Sequence, residues 1–536
     1  MREVIPPRKK FLERVSEGMD SVIGIFSPVR EYKRKAFRFV NKIALRGGYS
    51  GAKTTRLNEK WFTGGGSADE DLLLDISELR ERSRDLNRND SIAAGVTGTM
   101  VTNVIGSGIQ PQSYVDSESL GLTPEATEEF QKKVERIWER WEPHADAGNR
   151  MHFWEIQQLV QRQVLENGEV IIIPEMVDEP GRPYFLALNT VESDRLDTPS
   201  DKRADKNIRR GVELGSRGEP VAYWICKTHP GDLTYRKRQP DSNEYIRYEA
   251  KNKYGRPNIL HLYWVKRPGQ SRGEPFFAPV IGRFKDLAEF MDAELIAARV
   301  TACFTVFIEQ QQAFEGALAA TTKTESDGKR IEMLEPGIIK RLNPGEKFSA
   351  FNPQRPGGAF DPFVDKVLRF IGAGLGLPYE LVLKDFSKTN YSSARAAILE
   401  ARKFFVFQQN WISDRLCQPT WGMLLDESYL RGEFEAKDYF NRREDYLRAK
   451  WIAPGWAYID PDKEINAADQ AIRSNVSTLA DECAAHGKDW EENLVQRARE
   501  EKKRKELGLP DPESKGVVLQ GAAKQGATTQ ENNNNG

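Results

Sequence analysis

Histidine and cysteine are the side chains in this sequence that could hold a metal ion or act as nucleophiles, and both are sparse. The chain has 536 residues with 5 histidines and 4 cysteines. They are His144, His152, His229, His261 and His486, with Cys226, Cys303, Cys417 and Cys483. Cys483 and His486 are close enough to share a helical face, but two ligands do not make a zinc site. We therefore expect no metal, no cofactor and no disulfide framework, in a reducing compartment.

Sequence motifs for nucleotide binding and for zinc-dependent hydrolysis are also absent. The chain has no Gly-x-x-x-x-Gly-Lys-Ser/Thr loop, no Gly-x-Gly-x-x-Gly turn and no His-Glu-x-x-His. Carboxylates are plentiful, so a two-metal nuclease site remains an alternative, although no spacing points to one. The cluster Asp69-Glu-Asp71 is typical of a helix start, where acidic side chains complement the helix dipole. We expect a protein that is not an enzyme.

The charge of the chain is balanced overall but not locally. Lys and Arg number 79 and Asp and Glu 80, for a net charge of −1. A protein that binds nucleic acid over its whole surface is usually basic, so the balance argues against one. The first 60 residues hold 15 basic and 6 acidic side chains. The basic and aromatic stretch 30–39 could bind phosphates and stack on bases, and a solvated, partly disordered arm explains it equally well.

Hydrophobic periodicity after the glycine-rich hinge at 64–67 predicts a mixed α+β body. Helices are expected over 71–105, 123–142 and 152–166. The expected strands are Glu169–Glu175, Tyr184–Leu188, Ala222–Lys227, Tyr245–Tyr248 and Asn258–Trp264. No apolar run reaches the roughly 18 residues that a membrane span requires.

The second half of the chain is predicted to be mainly helical. A long helix is expected from Ala278 to about Phe304, and its length suits either neighbouring copies or an ordinary core. Its predicted apolar stripe is Phe277, Val280, Phe284, Leu287, Met291, Leu295 and Ala298. An insert at 305–358 should contain strands Arg330–Leu334, Gly337–Leu342 and Lys347–Phe351. The other expected helices are 360–372, one capped by Ser392 or Ser393 and ending near Leu416, 461–485 and 489–507, before a disordered tail.

Four stretches together resemble the phage portal proteins of the lambda type. They are Ser83–Asp90 leading to Gly95–Ile109, Arg267-Pro-Gly-Gln-Ser-Arg-Gly-Glu-Pro275 with Asp292-Ala-Glu294, Gly376-Leu-Pro-Tyr-Glu-Leu381, and Asn390-Tyr-Ser-Ser-Ala-Arg395. A single stretch of this kind does not identify the family, but the order and spacing of all four over roughly residues 70–460 are specific to it. The N-terminal arm and the C-terminal tail lie outside the resemblance.

The resemblance implies a portal-type fold that forms a ring of twelve subunits. The family's parts would divide the chain into a basic arm (1–68), wing (69–277), first stem helix (278–304), clip (305–358), second stem helix (359–379), tunnel loop (380–393), further wing helices (394–460), crown helices (461–510) and disordered tail (511–536). The mixed wing, long stem helices, small clip insert and helical crown then make one discontinuous protomer.

The resemblance also implies that the tunnel loop projects into a DNA channel. A loop beside moving DNA needs polar groups that contact phosphates without holding them, and Lys384, Lys388 and Asn390 meet that need. Arg395 would either contact DNA or brace the loop, and bracing is favoured. Tyr391 would pack against protein, because duplex DNA hides its bases.

By resemblance, the partners are other copies of the chain, double-stranded DNA in the channel, the terminase large subunit, the head–tail connector, and the major capsid and scaffolding proteins. The expected location is the portal vertex of the virion, and the host cytoplasm during assembly, with no membrane. ATP hydrolysis would belong to terminase. The alternatives are a metal-dependent nucleic-acid-processing enzyme and a minor capsid scaffold without a pore.

Overall fold

The computed structural model describes residues 65–232, 244–302, 306–310, 346–350 and 360–509. The chain divides into two units at Gly66, and the elements below all belong to the second, Ser67–Gly536. Three sequence predictions lie outside the described residues: the basic arm, the strands at 330–334 and 337–342, and the tail.

Along the chain, the helices of the described residues lie mainly before and after the strand-rich segment 169–263. They are α1 (Ala68–Leu73), α2 (Ile76–Asn89), α3 (Ser91–Val104), α4 (Ser117–Leu120), α5 (Pro124–Trp141), α6 (Phe153–Asn167), α7 (Ile281–Ala302), α8 (Phe360–Leu375), α9 (Tyr379–Leu383), α10 (Tyr391–Ile412), α11 (Gln418–Leu430), α12 (Arg443–Tyr446), α13 (Pro461–Arg473), α14 (Leu479–Ala485) and α15 (Trp490–Glu506). A π-helical turn, Ser413–Cys417, joins α10 to α11.

The strands form small antiparallel sheets. They are β1 (Gln110–Ser113), β2 (Glu169–Met176), β3 (Leu186–Val191), β4 (Ile208–Arg209), β5 (Val212–Leu214), β6 (Pro220–Cys226), β7 (Tyr245–Glu249), β8 (Leu260–Tyr263), β9 (Val306–Gln310), β10 (Glu346–Ala350) and β11 (Ala449–Ile452). The sheet orders are β3-β2-β8, β4-β5-β6-β7, β1-β11 and β10-β9. The expected α+β class is therefore confirmed.

Strand β2 separates two hydrophobic cores. Val170 and Ile172 enter the larger core, which also receives side chains of most helices. Ile171 and Ile173 enter the smaller core, shared with the four-stranded sheet. Successive side chains of a strand point to opposite faces, so a strand buried on both faces is apolar throughout. This explains the continuous apolar run that predicted the strand.

Capping residues start several helices where the sequence indicates. Thr123 accepts a hydrogen bond from the Ala126 amide, with Pro124 in the first turn of α5. Asp460 caps α13 in the same way, ahead of Pro461. A side-chain oxygen at the N-cap satisfies an amide that the helix itself leaves unpaired. The predictions for these two starts are confirmed.

Two helices predicted as continuous are broken. The expected helix 71–105 is three helices, and Asp90 interrupts it with extended backbone while its carboxylate caps α3 through the amides of Ile92 and Ala93. The expected helix 461–485 ends at Arg473, and Asn475 then adopts a left-handed φ of 56°. Local capping and turn chemistry therefore prevails over apolar spacing at both points.

The long helix α7 is buried only at its start. Phe284 and Leu287 lie in the core, whereas Met291, Leu295 and Ile296 are 43%, 50% and 59% exposed. Beside this transition, Phe290 packs on α8, with its ring centroid 5.7 Å from that of Phe360. The apolar stripe therefore continues beyond the protomer's own core. In the part of the chain that the structure describes, no helix is long and apolar enough to cross a membrane.

Candidate functional site

The candidate channel loop connects α9 to α10. Lys384 ends α9 in a left-handed conformation with a φ of 56°. Asn390 begins α10, where its side-chain oxygen accepts a hydrogen bond from the Ser393 amide at 2.9 Å. The expected cap, Ser392 or Ser393, is therefore wrong, because the helix starts before either serine. Lys384 to Asn390, hereafter the 384–390 loop, forms the connection.

Hydrogen bonds within the loop fix its shape. The Asp385 carboxylate accepts from the Ser387 amide at 2.9 Å. The Thr389 hydroxyl donates to the Phe386 carbonyl at 3.0 Å. Such hydrogen bonds between side chains and backbone take the place of the regular backbone hydrogen bonds that helices and sheets have and loops lack. The 384–390 loop is thus a defined turn between two helices.

Helix α8 anchors the loop through Asp365. Lys388 Nζ donates to Asp365 Oδ2 at 2.9 Å, and the Tyr379 hydroxyl donates to Asp365 Oδ1 at 2.8 Å. The hydrogen bond from Lys388 lowers the pKa of the Asp365 carboxyl and raises the pKa of Lys388 itself. Arg369 lies over the Tyr379 ring at 4.3 Å from its centroid. These contacts join the loop to α8 and α9.

The candidate residues differ in what they have free for a ligand. Lys384 is exposed and forms no ion pair with the residues that the structure describes. Lys388 already pairs with Asp365. Asn390 uses its oxygen as a cap and keeps its amide NH₂ for other contacts. Tyr391 is 52% exposed at the first turn of α10. The structure therefore gathers these four residues at one connection.

Arg395 lies one turn farther along α10. Its Nη2 is 3.5 Å from Glu464 Oε1 on α13. This ion pair joins α10 to α13, so the contact of Arg395 is with a C-terminal helix, and its bracing of the loop stays a prediction. Asp365 and Glu464, the partners of Lys388 and Arg395, were missed from the sequence, because each is 23 or more residues away from its cation with no motif to link them.

A second group of charged residues is buried where β2, α2 and the segment preceding α7 meet. Glu169 is fully buried and accepts from Arg272 Nη2 at 2.5 Å and from the Gly273 amide at 2.6 Å. Arg80 on α2 also donates to it, as does His261 Nε2 at 3.0 Å in one tautomer. Burial alone would raise the pKa of Glu169, but Arg272 and Arg80 outweigh it and hold that pKa well below its ordinary value.

Close backbone packing completes this buried group. A Cβ on Gly273 would lie 2.1 Å from the Gly168 carbonyl oxygen, and Gly168 itself has a φ of 85°. Arg272 further donates to the carbonyls of Leu196 and Ser193 at 2.9 and 3.1 Å. The Arg267–Pro275 stretch therefore acts as a structural tie between β2, α2 and the segment that leads into α7.

A third group, which the sequence did not reveal, combines His229 with two carboxylates. Glu192, Asp194 and His229 bring their ligand atoms within 4.8 Å of one another. Arg84, however, pairs with both carboxylates. His229 Nδ1 accepts from the Gly231 amide, so neutral His229 carries its proton on Nε2, the nitrogen that faces the carboxylates. Metal-binding histidines have the opposite arrangement, so the group fits an ion-pair cluster better than a metal site.

Comparisons with known proteins give the family of this chain. The model described as phage portal protein, lambda family, matches residues 54–409. The match covers more than half of the sequence, and the chain belongs to the lambda family of phage portal proteins. Portal function at a capsid vertex follows from this membership.

Individual relatives agree with the family. The "Probable portal protein" of Halomonas phage phiHAP-1 is 28% identical, over 88% of this chain and 89% of its own length. The portal protein of Escherichia phage N15 is 26% identical, over 87% and 91%. Portal protein B of Escherichia phage lambda is 23% identical, over 87% and 91%.

Among solved structures, a chain from the neck of an empty gene transfer agent particle, computed with C6 symmetry, has a TM-score of 0.40 at 14% identity. The alignment covers 81% of this chain and 94% of that chain. The family assignment rests on the family model that matches residues 54–409.

Proposed function

We propose that twelve copies of this chain form a ring at a single capsid vertex and that double-stranded DNA passes through the ring during packaging and ejection. The 384–390 loop carries this proposal, because it is a short, internally bonded polar turn that presents an unpaired cation, Lys384. Twelve copies of Lys384 would form one ring of positive charge. A single ring contacts phosphates weakly enough for DNA to slide, whereas a uniformly basic channel would hold it.

The apolar end of α7 supports the ring. Met291, Leu295 and Ile296 expose large side chains on a helix whose own protomer covers only the first turns. A contiguous exposed apolar surface commonly marks an interface. The same surface on a neighbouring copy would cover it in a ring. In this arrangement α7 and α8 would be the stem helices, and the segment 380–393, which comprises the 384–390 loop with most of α9 and the first turn of α10, would be the tunnel loop.

We assign the remaining parts by the same scheme. The segment 305–358 would be the clip, which docks the terminase large subunit and later the head–tail connector. Its described strands, β9 and β10, pair antiparallel, with Val306 opposite Ala350. The helices at 461–510 would form the crown inside the head, and the wing would contact the major capsid and scaffolding proteins. The protein would assemble in the host cytoplasm.

Catalysis is left to the partner in this proposal, so terminase would hydrolyse ATP. The metal-dependent enzyme alternative has one feature in its favour, the Glu192, Asp194 and His229 group, but Arg84 already balances those carboxylates. The test is nuclease and ATPase activity of the purified chain with Mg²⁺. Activity that survives in a variant lacking His229 and Asp194 would also argue against that group as its source, and any robust activity would contradict the proposal.

Negative-stain images of the purified protein test the ring directly. We expect closed rings with a central hole and twelve-fold averages. A particle without a pore would instead support a minor capsid scaffold and would overturn the proposal.

A further inference from the structure

The last helix, α15, has opposite charges at its two ends. Its start is acidic and docked: Asp489 caps the helix through the Glu491 amide at 2.7 Å and accepts from the Gln112 side chain of β1 at 2.5 Å. Its end is basic, since residues 497–505 contain six Lys or Arg and two Glu. The helix is therefore held to the body at one end and presents cations at the other.

Three of these cations form a row on the outward face. Arg499, Lys502 and Lys505 are three residues apart, so they follow one another along the same side of the helix over about 9 Å. All three are exposed, and none has an ion-pair partner among the residues that the structure describes. The inward side is marked by Asn493, which is half-buried and donates to Cys483 Sγ at 3.6 Å.

We propose that the basic end of α15 binds the phosphate backbone of double-stranded DNA through Arg499, Lys502 and Lys505. The inference rests on the proposed function, which brings DNA to the ring, and adds a second contact surface apart from the 384–390 loop. One DNA strand presents a phosphate about every 3.4 Å along the duplex axis, so the row spans roughly three phosphates. Such contacts are independent of DNA sequence.

The composition of the row favours DNA over a protein partner. Residues 499–506 contain no apolar side chain. Protein interfaces usually have an apolar or aromatic centre, whereas phosphate contacts need only cations and hydrogen-bond donors. Two of the nearby carboxylates have partners outside the row: Glu500 accepts from the Gln496 side chain at 2.8 Å, and Glu506 is 3.2 Å from Lys503.

The test compares two full-length variants that each lose three positive charges. One is R499Q/K502Q/K505Q on α15, and the matched control is K202Q/R203Q/K206Q in an exposed turn of the wing. Binding of a short, fluorescently labelled DNA duplex is measured by anisotropy over a series of salt concentrations. Each lost phosphate contact reduces the steepness of log K against log salt concentration by about 0.9. The slope of the α15 variant should therefore be shallower by about 2–3, and its affinity should be more than tenfold lower.

The control variant should bind as the wild type does. Equal salt slopes for all three proteins would overturn the inference, and that is also the result expected if the row served an acidic protein. Negative-stain images of the same samples keep the two proposals apart. Rings with unchanged duplex binding would remove only the α15 contact, whereas an absence of rings in the wild type would remove the proposed ring.

Discussion

The two lysines of the 384–390 loop differ because only one of them has a carboxylate partner. Lys388 is 2.9 Å from Asp365, and Lys384 forms no ion pair among the described residues. A lysine already balanced by a carboxylate attracts a phosphate less strongly. We therefore expect Lys384 to make the stronger contact with DNA phosphates, while Lys388 holds the loop against α8.

We expect Lys384→Ala to impair DNA packaging or retention more than Lys388→Ala, with the double variant the most impaired and ring assembly unchanged in all three. The measurement is the DNA content of particles assembled with each variant. Lys403→Ala, which removes a lysine paired with Glu400 on the outer surface of α10, is the matched control. Normal packaging by the double variant would remove the loop from the channel.

Glu169 balances two buried guanidiniums, so neutralising it should be costly. We expect Glu169→Gln to lower the free energy of unfolding by about 3–5 kcal/mol, because Arg80 and Arg272 would remain buried without their partner. Glu213→Gln removes the partner of the more exposed Arg247 and should cost about 0–1 kcal/mol. Denaturant unfolding at neutral pH compares the two, and equal losses would contradict a central role for the buried group.

The same carboxylate also predicts a pH dependence. Its pKa is lower in the folded than in the unfolded protein, so its stabilising contribution is complete above the unfolded pKa of about 4.3. That contribution should disappear as the pH falls through the folded pKa. The loss with acidification should be smaller in Glu169→Gln than in the wild type.

At the scale of elements, the sequence predicts structure best where the signal is local. The starts of α5 and α13 were predicted from Thr123-Pro124 and Asp460-Pro461, which carry their own capping chemistry. Strand β2 was predicted because an apolar run buried on both faces needs no distant partner to be recognised. Local signals fail where two of them compete, as at Asp90.

Contacts between distant elements could not be predicted from the sequence. The Arg267–Pro275 stretch was recognised only as part of a family pattern, because Glu169, which explains Arg272, is 103 residues away. The loop residues were found in the same way, whereas their partners Asp365 and Glu464 carry no motif. The fold determines which charged side chains pair, and their separation along a single sequence does not reveal the pairs.

The docking of α15 onto β1 and α5 places several carboxylates together. Glu135 on α5 accepts from the Ser113 amide at 2.7 Å, and Asp489 accepts from the neighbouring Gln112. Burial raises the pKa of Glu135 to about 7, and Asp489, Glu491 and Glu139 add to the shift. The folded protein therefore favours a proton on Glu135, and an ionised Glu135 would repel Asp489 and Glu491 at the start of α15.

Because the pKa of Glu135 is higher in the folded than in the unfolded protein, its favourable contribution is complete below the unfolded pKa of about 4.3 and is lost as the pH rises through about 7. We expect amide exchange at the start of α15 to quicken between pH 6 and pH 8, after correction for intrinsic exchange. Glu135→Gln should slow exchange at the higher pH and remove the dependence. Glu129→Gln, exposed on the same helix, should change neither, and identical behaviour of both variants would contradict the coupling.

At the scale of the whole molecule, the near-zero net charge of the chain matters most for the proposed ring. In the proposed ring, a net charge of −1 per chain would leave local rings of positive charge to contact DNA separately. The 384–390 loop would supply one such ring and the end of α15 another. DNA could then be contacted at separate levels without being held along the whole channel.

Ring formation should depend on the exposed apolar end of α7. Ile296 is 59% exposed in the protomer, so Ile296→Asp should leave the isolated fold intact and place a charge where the proposed ring requires apolar packing. We expect a shift from rings to monomers by mass photometry, with unchanged far-ultraviolet circular dichroism. Val476→Asp, at a site 81% exposed between α13 and α14, is the matched control and should still form rings. If Ile296→Asp rings persist, the neighbouring copy contacts another face of the stem, because a buried unpaired carboxylate could not be accommodated there without loss of affinity.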